Sequence, residues 1–405
     1  MIERKILQNA SFQLASRLIT TGIGFVITIL IARHFGPATF GDFSKITSFV
    51  ALFYLVIDFG LNATFLKNPK SFSSLFYLRL ALSFLIFASS NLIAQILPYD
   101  PITGIGFSPL VRMGIFVFSF SLFAQSVIFS SSAIFQKNLR YDLFLVSQTV
   151  GSVFNLFLIA ILLFFAKSLT FVIFAFSLST FLTAAVSLFF VQERLKGFDS
   201  KYSKMIFLGS IPLGLTLLFN LVYFRIDILL LSIVKPNIDV GIYSIAYKFF
   251  DFFIAIPLFL SNALYPKMLS TLKEKKDFGS LIKNYLIVYL GFSIVVVIPV
   301  WFLSPLFSII SPAFSKASIP FRILILSIPV FFLTSFLQWI LVSLNKQKFL
   351  MWIYGVSVII NIVLNLALIP KYSYLASAVI TGVCELFILI ALIAKLKSSK
   401  IFSER

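Results

Sequence analysis

The sequence predicts an all-α membrane protein of twelve transmembrane helices, arranged as two related six-helix halves. Three observations predict this class. Hydrophobic residues make up 60% of the 405 and charged residues only 12%, against roughly 25% charged in a soluble domain. The apolar residues fall in runs of about 20, the length that crosses the hydrocarbon of a bilayer. Finally, two stretches half a chain apart share one layout. In residues 31–49 an apolar helix ends at Gly36-Pro37, Gly41 follows, and Phe43-Ser44 opens the next helix with Lys45 just inside it. In residues 221–251 an apolar helix ends at Lys235-Pro236-Asn237, Gly241 follows, and Tyr243-Ser244 opens the next helix with Lys248 inside it. A repeat of this kind divides the chain into halves 1–200 and 201–405.

In chain order the expected spans are 12–32, 43–61, 75–97, 110–129, 143–166 and 169–191 in the first half. Those of the second half are 205–234, 240–263, 281–303, 319–344, 350–369 and 374–393. The pairs around Lys167 and Lys371 read as hairpins with almost no loop. Asn155 and Asn361 precede those two turns in corresponding positions, a second echo between the halves. The longest connections, 192–204 and 264–280, are basic and polar, and neither is long enough to hold a domain. Residues 1–10 are polar and basic, and the run after them has no small-residue cleavage site, so it reads as a retained first helix rather than a signal peptide.

The formal net charge of +19 is topological. Of the 33 Lys and Arg, 22 fall on the side that holds both termini and nine on the other, while Arg17 and Arg225 lie inside spans. Positive residues collect on the cytoplasmic side, which puts both termini in the cytoplasm and removes any reason to invoke nucleic acid. A single Cys and a single His exclude an intrachain disulfide and a multi-histidine metal site. No metal, cofactor or catalytic residue is expected.

Polar residues recur at steps of three and four, which places them on one face of each helix. Span one has Gln13, Arg17, Thr21, Gly24 and Thr28; span two Thr47, Tyr54 and Asp58; span seven Thr216, Asn220, Tyr223 and Asp227. Span eight has Ser244, Lys248, Asp251 and Asn262, and span ten Ser327, Thr334 and Gln338. Span eleven has Tyr354, Ser357, Asn361 and Asn365, and span twelve Ser377, Thr381 and Glu385. Neutral stripes can simply glue packed helices together. Charges are harder to dismiss, since each costs roughly 2.5–3.5 kcal/mol at a helix centre.

More than one reading stands for these charges. Arg17 either snorkels to the interface or offers a cation to an anionic substrate. Lys248 and Asp251, three apart, either neutralise each other or exchange partners when a phosphate arrives. Arg225 and Asp227 are two apart and point to nearly opposite faces, so they cannot pair, and Arg225 must find a partner on another helix or reach the outer interface. Asp58 and Glu385 stand as lone carboxylates in apolar runs. Each either caps backbone, pairs with Arg225, or serves as a proton or sodium site.

Several phrases resemble the Wzx-like polysaccharide and O-antigen flippases of the multidrug/oligosaccharidyl-lipid/polysaccharide (MOP) exporter superfamily. They are Ile31-Ala32-Arg33-His34-Phe35-Gly36-Pro37 with Phe40-Gly41, Ile57-Asp58-Phe59-Gly60-Leu61, Arg225-Ile226-Asp227 with Gly241 to Lys248, Leu264-Tyr265-Pro266, and Asn361 to Lys371 followed by Ala378 and Glu385. The resemblance implies two six-helix lobes around a central cavity in the inner membrane. It implies a cargo of undecaprenyl-pyrophosphate-linked glycan repeat units, moved from the cytoplasmic to the periplasmic leaflet by alternating access. Arg17, Lys248, Arg225, Asn220 and Asn361 are then the candidate substrate-binding residues. Asp58, Asp227, Asp251 and Glu385 are the candidate cavity carboxylates for proton or sodium coupling. Membrane lipid, a glycan polymerase and glycosyltransferases are the implied partners. The chain lacks the two further terminal spans of the peptidoglycan-precursor flippase. The alternatives are a multidrug or organic-cation antiporter of the same superfamily and a membrane polysaccharide-modifying enzyme. A polymerase needs a large outer loop carrying catalytic groups and an acyltransferase a buried His, whereas the longest outer loop here is about 304–318 and His34 stands alone.

Overall fold

The computed structural model describes residues 2–165, 168–273 and 278–398; Lys167, expected in a turn, lies outside them. The chain opens with α1 (Ile2–Asp58), 57 residues of nearly continuous helix. At 1.5 Å per residue a straight helix of that length would run to about 86 Å, far more than a bilayer's hydrocarbon of about 30 Å. It is two spans joined at a kink. Gly36 sits at φ 71°, ψ −179°, a conformation essentially reserved for glycine. Pro37 follows and has no N–H to continue the ladder. The turn expected at Gly36-Pro37 is therefore present, as a sharp bend rather than a loop.

The first part of the chain continues with α2 (Leu61–Lys67), α3 (Phe72–Ile96), a two-stranded antiparallel hairpin of β1 (Tyr99–Asp100) and β2 (Ile105–Gly106), α4 (Pro109–Ser119), α5 (Ser121–Lys137), α6 (Tyr141–Phe165) and α7 (Leu169–Phe189). Then come α8 (Ser200–Val234), α9 (Asn237–Lys273), α10 (Phe278–Phe302), α11 (Leu306–Ile310), a 3-10 turn (Pro312–Ala317), α12 (Ser318–Leu326), α13 (Ile328–Ser343), α14 (Gln347–Tyr372) and α15 (Tyr374–Lys397). Among the described residues, ten helices are long and apolar enough to cross a membrane, with α4 and α5 together making one and α1 counted once. Dividing α1 at Gly36, and joining α12 to α13 across their 41° bend, recovers the twelve spans read from the sequence. This is a multi-pass membrane protein.

Two connections differ from expectation. Residues 264–273, read as loop, continue α9 as helix. Hydropathy reports where hydrocarbon ends, whereas Leu, Met and Lys favour helix on either side of that boundary. The connection after α3 is the β-hairpin, too short for a periodicity to reveal. Its Asp100 carboxylate accepts from Thr103 Oγ1 at 2.6 Å and from the Ile102 N–H at 2.9 Å, and these bonds hold the carboxyl below its ordinary pKa.

The chain separates into two compact units, Met1–Arg225 and Ile226–Arg405. The division falls inside α8, while the boundary read from the sequence coincides with the start of that helix. In the first unit α1 packs on α6, α6 on α7, and α5 on α3 and α7. In the second, α13 packs on α9 and α10, and α15 on α12, α13 and α14. Helix α9 is buried on every side from Val240 to Tyr247, the signature of a helix enclosed by others.

Close approach of α6 and α7 depends on Gly151. A Cβ there would lie 1.7 Å from Thr183 Oγ1, so only a bare backbone lets the helices meet. Gly151→Ala is expected to destabilise the first unit by about 1–3 kcal/mol, read as a lower melting temperature in detergent, and adding Thr183→Ala is expected to recover part of the loss.

Candidate functional site

Helical spacing alone does not say which way a polar stripe faces, and the stripes prove to face differently. Gln13, Arg17, Thr21 and Gly24 form an exposed face of α1, with only Thr28 buried at its end. The stripes of α14 and α15 are turned wholly inward: Tyr354, Ser357, Asn361, Asn365, Ser377, Thr381 and Glu385 are all buried.

Those inward stripes build a set of buried hydrogen bonds in the second unit. Asp227 of α8 is buried and accepts from the Tyr243 hydroxyl of α9. Its other carboxylate oxygen accepts from the Ile228 N–H at 2.8 Å. Tyr243 lies 3.5 Å from Thr381 Oγ1 on α15, which donates to the Ser377 carbonyl at 2.9 Å. Ser377 Oγ donates to Asn365 Oδ1 at 2.8 Å, and Asn365 Nδ2 donates to Asn361 Oδ1 at 2.7 Å. One turn along α15 from Thr381, buried Glu385 accepts from Thr334 Oγ1 of α13. Gln338, one turn further along α13, donates to the Tyr354 hydroxyl of α14. Five helices thus contribute to a buried polar layer holding two carboxylates. Chemically it offers carboxylate, hydroxyl and amide oxygens, the hard donors suited to a proton or a small cation.

The first unit treats its charges otherwise. Asp58, read as a lone carboxylate with Arg225 as its candidate ion partner, instead pairs with Arg79 of α3 at 3.2 Å. Arg79 also donates to Asn62 Oδ1 at 2.7 Å, and Asn62 Nδ2 donates to Ser132 Oγ at 3.0 Å. The guanidinium is fully buried, lies over the Phe129 ring at 5.9 Å, and keeps two nitrogens, Nε and Nη1, without a hydrogen-bond partner among the described residues. Arg79 is one of the 22 Lys and Arg assigned to the side that holds both termini, and its burial corrects that count. It stands inside the third apolar run, and that position was the available signal. Lys45 is corrected in the same way. It is fully buried, and its ammonium donates to the Gly106 carbonyl at 2.6 Å, tying α1 to the hairpin. Removing one charge from each side leaves the asymmetry between the two sides intact.

Of the remaining candidates, Arg17 is exposed, and its side chain makes no hydrogen bond or ion pair among the described residues. Asn220 and Arg225 are half-buried on α8. Lys248 is exposed and Asp251 half-buried on α9. The structure therefore joins Asp227, Asn361 and Glu385 to one layer, places Asp58 in an ion pair, and leaves Arg17 and Lys248 on accessible surface. Sequence reasoning did not single out Tyr243 or Arg79. Tyr243 was legible only as part of the repeat.

Asp58→Ala would leave the Arg79 guanidinium buried without its carboxylate, a loss expected to be about 3–5 kcal/mol. Asp58→Ala with Arg79→Met is expected to recover much of that, since an apolar pair of similar volume removes the uncompensated charge. Thermal unfolding of the purified variants measures both.

Sequence comparison with curated proteins returns no match. Among solved structures, the fold matches the lipid II flippase MurJ in an inward-closed conformation, with TM-score 0.75 and 16% identity over 95% of this chain and 87% of that one. It also matches the eukaryotic MATE transporter AtDTX14, with TM-score 0.69 and 14% identity over 97% and 96% of the two chains. A multidrug-resistance MATE transporter of the MOP superfamily in an inward-facing conformation matches with TM-score 0.67 and 11% identity, covering 98% and 96%. At these identities the likeness is one of fold. A MatE family model matches residues 212–367, and a model of polysaccharide biosynthesis proteins matches residues 6–272. With two-thirds of its length matched by that model, the chain belongs to the polysaccharide biosynthesis protein family.

Proposed function

We propose that this protein is a lipid-linked oligosaccharide flippase and not an enzyme. It moves undecaprenyl-pyrophosphate-linked glycan units from the cytoplasmic to the periplasmic leaflet of the inner membrane by alternating access, with both termini in the cytoplasm. The observation that carries this reading is the match of residues 6–272 to polysaccharide biosynthesis proteins. The residues supply a physical reason. A pyrophosphate head needs cations, and Arg17 and Lys248 both stand at exposed positions. In a site of low dielectric such charges act far more strongly than in water, and a guanidinium grips phosphate through paired N–H groups. Arg225 is a third cation, and Asn220 and Asn361 are amides for sugar hydroxyls.

Transport in this reading is coupled to a proton or sodium gradient through the Asp227–Glu385 layer, with Asp58 and Asp251 as further carboxylates. A carboxylate whose bonds come from hydroxyl donors can exchange them for a bound cation with small rearrangement. Glycosyltransferases supply the cargo and a glycan polymerase consumes it. A second reading has one observation in its favour. The MatE model covers 212–367, which includes Asp227, Tyr243, Thr334 and Asn361, so an organic-cation antiporter would draw on the same layer.

Proteoliposomes carrying a fluorescent lipid-linked oligosaccharide, at defined sodium and proton gradients, separate the two. Flipping is expected in the native chain and should fall about tenfold or more in Arg17→Ala and Lys248→Ala, a loss of ~1.4 kcal/mol or more in transition-state stabilisation. Extrusion of an organic cation without glycan flipping would overturn the flippase reading. In Asp227→Asn and Glu385→Gln, residual flipping is expected to become insensitive to ionophores that abolish the gradient effect in the native protein.

A further inference from the structure

A cavity of about 600 Å³ opens on the flank of the first unit between the end of α3 and the start of α4, beside the β-hairpin. Asn91, Leu92 and Gln95 line it from α3, and Arg112, Met113 and Phe116 from α4. On each helix these positions share one face. Arg112 is the fourth residue of α4 and Gln95 the last but one of α3, so both polar groups sit at helix ends, where a membrane-spanning pair meets the interface.

The polar groups are those of an anion site. Arg112 Nη2 donates to the Leu97 carbonyl at 2.9 Å, which fixes the guanidinium in place. Its Nε is buried and has no hydrogen-bond partner, and no carboxylate pairs with it among the described residues. The amide N–H groups of Asn91 are committed to the Phe87 carbonyl at 2.8 Å and Ser119 Oγ at 2.9 Å. Its carbonyl oxygen is left to accept from a hydroxyl. Gln95 is exposed, with its amide unengaged among the described residues.

What surrounds this head site is apolar. Leu92 is 64% exposed, Met113 56% and Phe116 47%. The stripe continues down α4 to Phe120, 41% exposed, whose ring centroid lies 5.3 Å from that of Phe116. There a second groove of about 270 Å³ begins, lined by Val117, Phe120, Phe174, Leu178 and Phe181. Ser177 also borders it, but its hydroxyl donates across to the Val117 carbonyl at 3.1 Å, so the wall is apolar in effect. From Arg112 to Phe120 is eight residues, about 12 Å along the helix. A fixed cation at the interface followed by a descending apolar track is the shape of a phospholipid, not of a soluble anion.

We propose that this groove holds one anionic glycerophospholipid, its phosphate on Arg112, a headgroup hydroxyl on Asn91, and an acyl chain along Met113, Phe116 and Phe120 into the α4–α7 groove. The site lies within the first unit and is independent of the cargo assignment. The purified full-length protein is examined by native mass spectrometry with phosphatidylglycerol or phosphatidylcholine of identical acyl chains. One phosphatidylglycerol per chain is expected to survive activation that strips phosphatidylcholine. Arg112→Gln should lower its occupancy about tenfold, the scale of a lost bond to a charged group, and Arg112→Lys should retain the preference. Equal retention of the two lipids by the native chain overturns the proposal, whatever the variants do. So does unchanged occupancy in Arg112→Gln. Displacement of the lipid by millimolar inorganic phosphate would convert the site to one for a free anion and overturn the lipid assignment.

Discussion

Hydrocarbon offers a polar atom no water, so every charge carried into the bilayer must find its partner within the protein. That constraint organises both units. Lys45, Arg79, Asp227 and Glu385 are all buried, and each is held by a bond to a different helix or to the hairpin. Helix positions that would otherwise be free to slide or rotate are pinned by these contacts. The surrounding phenylalanines fill volume, but the polar bonds set register.

The two units satisfy the constraint in different ways. In the first, charge meets charge or carbonyl: Asp58 with Arg79, and Lys45 with the Gly106 carbonyl. Such contacts are rigid, because releasing either partner strands an ion in a low dielectric. In the second, buried carboxylates accept from hydroxyls of tyrosine and threonine, and amides extend the chain to Asn361. Hydroxyls rotate and can act as donor or acceptor, so this layer can be re-bonded at low cost. In the proposed transport cycle the first arrangement suits a scaffold and the second suits a coupling element.

Accessible cations complete the picture. Arg17 on α1 and Lys248 on α9 are exposed and Arg112 on α4 is half-buried, whereas Lys45 and Arg79 are fully buried. Phosphate is the ligand that matches exposed or half-exposed cations in a membrane. It is carried by the proposed cargo and by the bilayer's own lipids. One chemistry therefore accounts for two separate proposals without either depending on the other.

The sequence by itself determined the class, the number of spans and the bend at Gly36-Pro37, because burial in lipid writes itself directly into composition and run length. It also determined that the polar residues of each span share a face, since that follows from 3.6 residues per turn alone. Tertiary structure decided what those faces meet. The α14 and α15 stripes turn inward to Asp227 and Glu385 while the α1 stripe stays exposed, and Asp58 finds Arg79 rather than Arg225. Periodicity specifies an angle around one helix axis but carries no information about which neighbour occupies that angle. Only packing, through close approaches such as Gly151 against Thr183, settles which helices meet and therefore which charges pair.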